Sequence, residues 1–239
     1  MQLDGATLQV LSGLIVILCG VSFILNTALN QNDPPGRLWS LSFVGGIMVT
    51  TAYAVYILSA DAWWTIAVGN AALVFCVGSL WAGSRVYNGR SSGFLLVAGL
   101  ALVITVISFL PGASGGEWAG AGPLWLVVAL LGGLGGAEAL RGRLRRNVNG
   151  RILSLVLLIV TGFYTLRAIA FIVEGPNSAV FRAYFDSDTT SVLNMSLIVT
   201  ASIAVSILRA EGAGSNAQGQ FIHRASFMGE WSPIIKAAF

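Results

Sequence analysis

Arg167 is the residue whose position most needs an explanation. It stands inside an apolar run, 152–173, about four residues from the middle and six from one end. A guanidinium at that depth in a bilayer costs about 2.5–3.5 kcal/mol unless it is paired, snorkels to the surface or lines a cavity. Six residues make about 9 Å of helix, so the side chain is long enough to reach a headgroup layer. The alternative is a cavity in which Arg167 holds an anion, a lipid headgroup or a carboxylate from 174–190, with Glu174 the nearest candidate in sequence. Asn70, Tyr53, Tyr56, Thr65, Tyr164 and Asn194 fall in the same half of their own apolar runs. With Arg167 they line a ligand pocket if their faces converge. Buried amides such as Asn70 and Asn194 also have a purely structural use, hydrogen bonding between helices.

Other polar residues suggest packing. Glu138 is followed three residues later by Arg141, the spacing of a local ion pair on a helix. Gly132 and Gly136 form a GxxxG pair, which lets two helix backbones approach, either within one bundle or between two copies of the chain. A homodimer is an expected partner state. No catalytic residue can be named, because the chain has no HExxH, GxSxG, P-loop, GxGxxG or paired CxxC signature. The sole histidine, His223, excludes a bis-His haem or a histidine metal cluster, and the sole lysine, Lys236, lies outside the apolar runs where a retinal Schiff base would need it. Neither a metal nor a cofactor is expected. Cys19 and Cys76 both sit in apolar runs and say nothing about a redox compartment.

The elements that position these residues follow from composition. The chain has 239 residues, of which 56% are hydrophobic and 10% charged. A soluble domain carries about a quarter charged residues, so this composition belongs to an all-α, polytopic membrane protein. The 29 glycines suit close helix packing in lipid. Seven runs are long enough to cross: 7–29, 38–59, 62–84, 93–111, 123–140, 152–173 and 191–208. They make one transmembrane domain, 1–212, followed by a Gly/Ser/Asn/Gln-rich tail, 213–239, expected to be flexible and cytoplasmic. The start, MQLDGATLQ, lacks a basic n-region, so no cleavable signal is expected.

Orientation comes from Arg141, Arg143, Arg145, Arg146 and Arg151, in one short loop. Basic loops stay cytoplasmic, which places the N-terminus outside and the C-terminus inside a cell membrane. The same side then collects Arg37, Arg85, Arg90, Arg209, Arg224 and Lys236, eleven of the thirteen basic residues in all. The five loop arginines are read as a lipid anchor, with membrane lipid rather than nucleic acid as their partner. Trp63, Trp64, Trp118 and Trp125 at one interface, and Trp39 and Trp81 at the other, are read as belt residues.

Two further patterns bear on function. Gly36-Arg37-Leu38-Trp39-Ser40-Leu41 parallels Gly150-Arg151-Ile152-Leu153-Ser154-Leu155, and Asn70 precedes Arg85 by the same fifteen residues that separate Asn194 from Arg209. These matches suggest a 3+1+3 repeat. Separately, the segment from Gly69-Asn70 through Leu80-Trp81-Ala82-Gly83-Ser84-Arg85-Val86-Tyr87-Asn88-Gly89-Arg90 is an Asn-led apolar span closed by L-W-x-G-x-R-x-aromatic-x-G-R. With Leu166-Arg167-Ala168 and Leu208-Arg209-Ala210-Glu211, it resembles the seven-helix membrane regions that precede GGDEF domains in bacterial diguanylate cyclases. The resemblance covers about 7–212 and implies a sensory or receptor module relaying to a cytoplasmic output partner. Asn70, Arg85, Arg90 and Arg167 match its positions. Residues 213–239 carry no GGDEF domain, and GGAEA at 135–139 is buried in a span, so cyclase activity is not carried over. The reading is a sensor without catalysis of its own. The alternative is a small solute facilitator built on the 3+1+3 repeat, which requires a midplane site drawn from both halves.

Overall fold

Asp33 starts a helix by accepting a hydrogen bond from the Gly36 amide at 3.2 Å, with two prolines in the first turn where their missing N–H groups do no harm. Asn147 caps another through the Asn149 amide at 2.8 Å, and Ser178 caps a third through Phe181 at 3.1 Å. Local signals of this kind set the starts of helices whose length is set by hydropathy. The computed structural model describes residues 5–30, 33–187 and 189–211, and every regular element among them is helical. The long helices are α1 (Gly5–Asn30), α2 (Pro34–Leu58), α3 (Trp64–Tyr87), α4 (Phe94–Phe109), α5 (Ala121–Ala139) and α7 (Val148–Glu174). Two short ones, α6 (Gly142–Arg145) and α8 (Ala179–Tyr184), sit in connections, and α9 covers residues 189–211.

The chain is an all-α, multi-pass membrane protein. Among the described residues, six helices are long and apolar enough to cross unaided. The expected fourth crossing differs from the other six: α4 has 16 residues and qualifies only together with Gly112–Trp118, from which it is bent by 115°. Pro111 and Gly116, the latter at φ 54°, turn the chain there. The bent segment folds back over the end of the bundle, where the Ala119 carbonyl just beyond it meets Asn70. The 213–239 tail lies outside the described residues, as do His223 and Lys236.

Helix α3 is the centre. Two-thirds of its span is buried, against 28% for α1 and α2, and it packs on α2, α4 and α5. Helix α5 in turn packs on α7. Gly132 and Gly136 serve that last contact: a Cβ at Gly132 would meet Thr161 Oγ1 at 2.9 Å and the Leu157 carbonyl at 3.1 Å, and Ser154 Oγ donates to the Gly136 carbonyl at 2.9 Å. The GxxxG pair is therefore used inside the bundle. Leu95, Leu102 and Leu110 are among the residues turned outward, at 88%, 66% and 77% exposure, as a lipid-facing surface requires.

The basic segments gather at one end. Arg209 binds Asp33 at 2.9 Å and Thr27 at 2.8 Å, Asn147 binds Glu211, and Leu144 N–H donates to Asn88 Oδ1 at 3.1 Å. Arg141, Arg143, Arg145, Arg146 and Arg151 are all exposed there, while Leu144 between them is fully buried and pins the loop.

Two sequence-based expectations fail at this level. Glu138 pairs with Arg90 at 2.7 Å and accepts from Asn88 Nδ2 at 3.0 Å, not with Arg141. The helix stops at Leu140, and Arg141 has extended backbone before the turn at Gly142, φ 53°, so the i, i+3 geometry no longer exists. Nor are three of the six tryptophans assigned to the interfaces belt residues. Trp39, Trp81 and Trp125 are buried, at 0%, 6% and 4% exposure; glycines leave flat hollows for the first two, such as the one at Gly83 that receives the Trp39 ring, and Trp125 packs among other aromatic rings. Trp64, half exposed, keeps the belt position.

Candidate functional site

From the end opposite the arginines inward, α1, α2, α3, α5, α7 and α9 surround a cavity of about 260 Å³. Tyr53, Tyr56, Asn70, Tyr164, Arg167 and Asn194 all line it. These six candidates converge on one cavity, while Thr65, expected beside them, is not on its lining and donates to the Ala62 carbonyl at 2.8 Å.

Their individual geometries separate them into roles. Asn70 is committed to the protein: its amide donates to Ser108 Oγ at 2.9 Å and to the Ala119 carbonyl at 2.9 Å, and its Oδ1 accepts from Tyr53 Oη at 2.7 Å. It ties α3 to α2, to α4 and to the bent segment before α5, so its structural use is the one the geometry displays. Tyr164 and Asn194 pair likewise across α7 and α9, Nδ2 donating to Oη at 3.0 Å. Tyr56 borders the cavity near Gly116 of the bent segment, 3.9 Å from the position of a Cβ there, and makes no hydrogen bond among the described residues.

Arg167 is different in kind. It is 6% exposed and does not snorkel. Its guanidinium carbon lies 4.3 Å from the centroid of the Trp125 ring and 5.8 Å from that of Phe181. Its Nε is buried without a hydrogen-bond partner, and among the described residues it forms no ion pair. Glu174, the partner suggested by sequence, is exposed and makes no ion pair with it. Helix α7 turns Arg167 inward toward α5, while Glu174, seven residues on, lies in the last, solvated turn. Asp186 and Glu117 are both beyond ion-pair distance of Arg167, Glu117 on the lining of the same cavity. Asp186 is engaged elsewhere, accepting from the Thr189 amide at 2.8 Å.

Trp118, Trp125, Phe171 and Phe181 form an aromatic wall, with ring centroids 5.1–6.2 Å apart, and this wall is what sequence reasoning missed. A face of aromatic π density steadies a cation without neutralising it, so the positive charge remains available to an incoming anion. Trp125, placed at an interface by its position near Pro123, gave no signal that it faced Arg167. Phe181 sits on α8, a short helix within a stretch read as loop.

Below the polar rim the lining is mainly apolar: Leu73, Val77, Leu80, Leu197 and Ala201 descend along α3 and α9, with Cys76 among them. Further toward the arginine end the bundle is solid. Trp39, Leu153 and Leu208 have no exposed surface there. No family model, curated protein or solved structure matches this chain.

Proposed function

We propose that this chain is a sensory or receptor module of the cell membrane, with the arginine end cytoplasmic, the cavity facing outward, and no catalysis of its own. The observation that carries this reading is the cavity: polar at one end, holding a buried and unneutralised arginine, and closed by packed side chains before it reaches the other end. A pocket of this shape admits a ligand from one side and retains it. The resemblance to GGDEF-associated membrane regions agrees with this role and supplies the class of output, a cytoplasmic signalling partner. A homodimer is part of the same proposal.

Helix α9 is the conduit. It brings Asn194 to the cavity and Arg209, fifteen residues or about 22 Å further on, to Asp33 and Thr27 at the cytoplasmic end. Glu211 adds a contact to Asn147. A shift of α9 at the cavity therefore loads these contacts, and occupancy biases two arrangements of one helix. The test is amide hydrogen exchange of residues 205–211 in the full chain in lipid nanodiscs. Filling the cavity with Leu73→Trp should change exchange there by fivefold or more. Exchange that stays unchanged, with the variant folded, removes the receptor reading.

A second reading rests on one observation. Tyr53–Asn70 joins α2 to α3 and Tyr164–Asn194 joins α7 to α9, two like pairs facing one cavity, as a facilitator with repeated halves would arrange them. The solid packing beyond the cavity argues against a path. Solute flux in proteoliposomes distinguishes the two.

A further inference from the structure

The lining of the cavity is ordered along its length, and that order specifies a ligand. At one end is a guanidinium, stacked on Trp125 at 4.3 Å, whose buried Nε has no hydrogen-bond partner. A buried, unpaired charge is among the most expensive groups a protein can hold. An oxyanion at this point would accept from the guanidinium and restore its pairing. Arg favours planar oxyanions because it can present two parallel N–H donors. Tyr56, whose hydroxyl makes no hydrogen bond among the described residues, borders the same cavity.

The other end is mainly apolar, Cys76 apart, whose thiol lies 3.6 Å from Ser42 Oγ. Leu73, Val77, Leu80, Leu197 and Ala201 offer neither donors nor acceptors. A hydrophilic anion such as sulfate would leave this volume empty, and a neutral hydrocarbon would leave Arg167 unpaired. Only a molecule with an anionic head and an apolar tail satisfies both ends. The volume sets its length: 260 Å³ at about 30 Å³ per water-sized group gives about nine such groups. That is the scale of a small oxyanion head with a medium-length alkyl chain, and well short of a long-chain lipid.

We infer that the cavity binds a medium-chain anionic amphiphile, with its carboxylate or phosphate on Arg167 and its alkyl chain between α3 and α9. This inference rests on the reading of the cavity as a ligand site and names the class of ligand. The head is a small oxyanion, whether a free fatty acid or a phosphate-headed short lipid supplies it.

The experiment is equilibrium binding to the full chain in lipid nanodiscs, with empty nanodiscs subtracted. Octanoate and octyl phosphate are the two anionic probes; octan-1-ol and acetate are the comparisons. One saturable site per chain is expected for at least one anionic probe, with octanol and acetate each at least tenfold weaker. Whichever of octanoate and octyl phosphate binds tighter identifies the source of the head. Arg167→Gln should weaken the tighter probe at least tenfold, while Arg167→Lys, which keeps the charge, retains part of the affinity. Leu73→Trp should abolish octanoate binding by filling the tail region. Octanol binding as tightly as both anions, or Arg167→Gln binding as tightly as the parent, overturns the inference; the octanol comparison needs no variant and so does not depend on folding. Exchange at 205–211 is read on the same samples. Binding without a change in exchange leaves the ligand class standing and removes the receptor reading. No anionic binding together with a Leu73→Trp effect on exchange removes the ligand class and leaves the receptor reading standing.

Discussion

Three polar residues show how differently a bilayer protein can use a buried group. Asn70 has both N–H groups and one lone pair satisfied by three different elements, so it behaves as a fastener. Hydrogen bonds between membrane helices are worth about 0.6 kcal/mol each on average, so Asn70→Ala should destabilise the fold by about 2 kcal/mol, measured by steric trapping in bilayers. Glu138 is a buried carboxylate held by Asn88 and by Arg90, whose side chain is 46% exposed. Arg90→Ala leaves that carboxylate short of a partner and should cost about 1–3 kcal/mol in the same assay, while Arg141→Ala, at the position the sequence suggested, should be near neutral. Arg167 lacks any such partner, and that is why it points to function rather than to stability. A fastener is satisfied by the protein; a binding group is left for something else.

Helices α5 and α7 illustrate how little space an element contact leaves. A methyl group at Gly132 would press on a backbone carbonyl and on Thr161, neither of which is the free end of a long side chain, whereas one at Gly133 would meet nothing closer than 3.6 Å. Gly132→Ala should therefore destabilise by about 1–3 kcal/mol, and Gly133→Ala should be neutral or slightly stabilising, in thermal unfolding of the detergent-solubilised chain. At the arginine end of the bundle, α9 is held by an ion pair that is almost entirely buried on the arginine side, 7% exposed, and one-third exposed on the aspartate side. Asp33→Ala leaves that arginine short of its carboxylate and removes the cap of α2 at once. Faster exchange at 205–211 than in the parent is expected, and protection equal to the parent would show that the clamp does not restrain α9.

For the whole molecule, the prediction concerns sidedness. The basic loops meet at one end through contacts between segments far apart in the chain, such as Arg209 with Asp33 and Leu144 with Asn88. With Cys19 and Cys76 replaced, a cysteine at Arg145 should be reached by a membrane-impermeant maleimide only from the cytoplasmic face, and one at Ser114 only from the opposite face. Labelling of both from one side would contradict the arrangement. The apolar outer surface carries a second expectation. Removed from detergent or lipid, the chain should aggregate rather than remain monomeric, because leucines along α4 have no other cover.

Hydropathy and charge are sums over short stretches, so the sequence alone determined the class, the approximate limits of the crossings and which loops share an end. The caps at Asp33 and Asn147 are equally local, made by neighbours three residues apart or fewer, but the hydropathy runs began later, at 38 and 152, because the first turns of these helices are polar or carry proline. The sequence could not determine which way each helix is turned. In a soluble protein the polar face of a helix reveals its rotation; in lipid the outer face is as apolar as the core, and the pattern carries almost no such information. Tyr53, Asn70, Tyr164, Arg167 and Asn194 were legible as candidates because polar residues in apolar runs are few. Their convergence was not, nor was Trp125 beneath Arg167, because both follow from the rotations of α5 and α7. The same blindness put Glu138 with Arg141, Arg167 with Glu174, and Trp39, Trp81 and Trp125 at the lipid interface. Only the tertiary structure fixes those rotations, through glycine hollows and hydrogen bonds across forty residues or so of chain, and with them it decides that one arginine in an apolar run has been left a cavity instead of a partner.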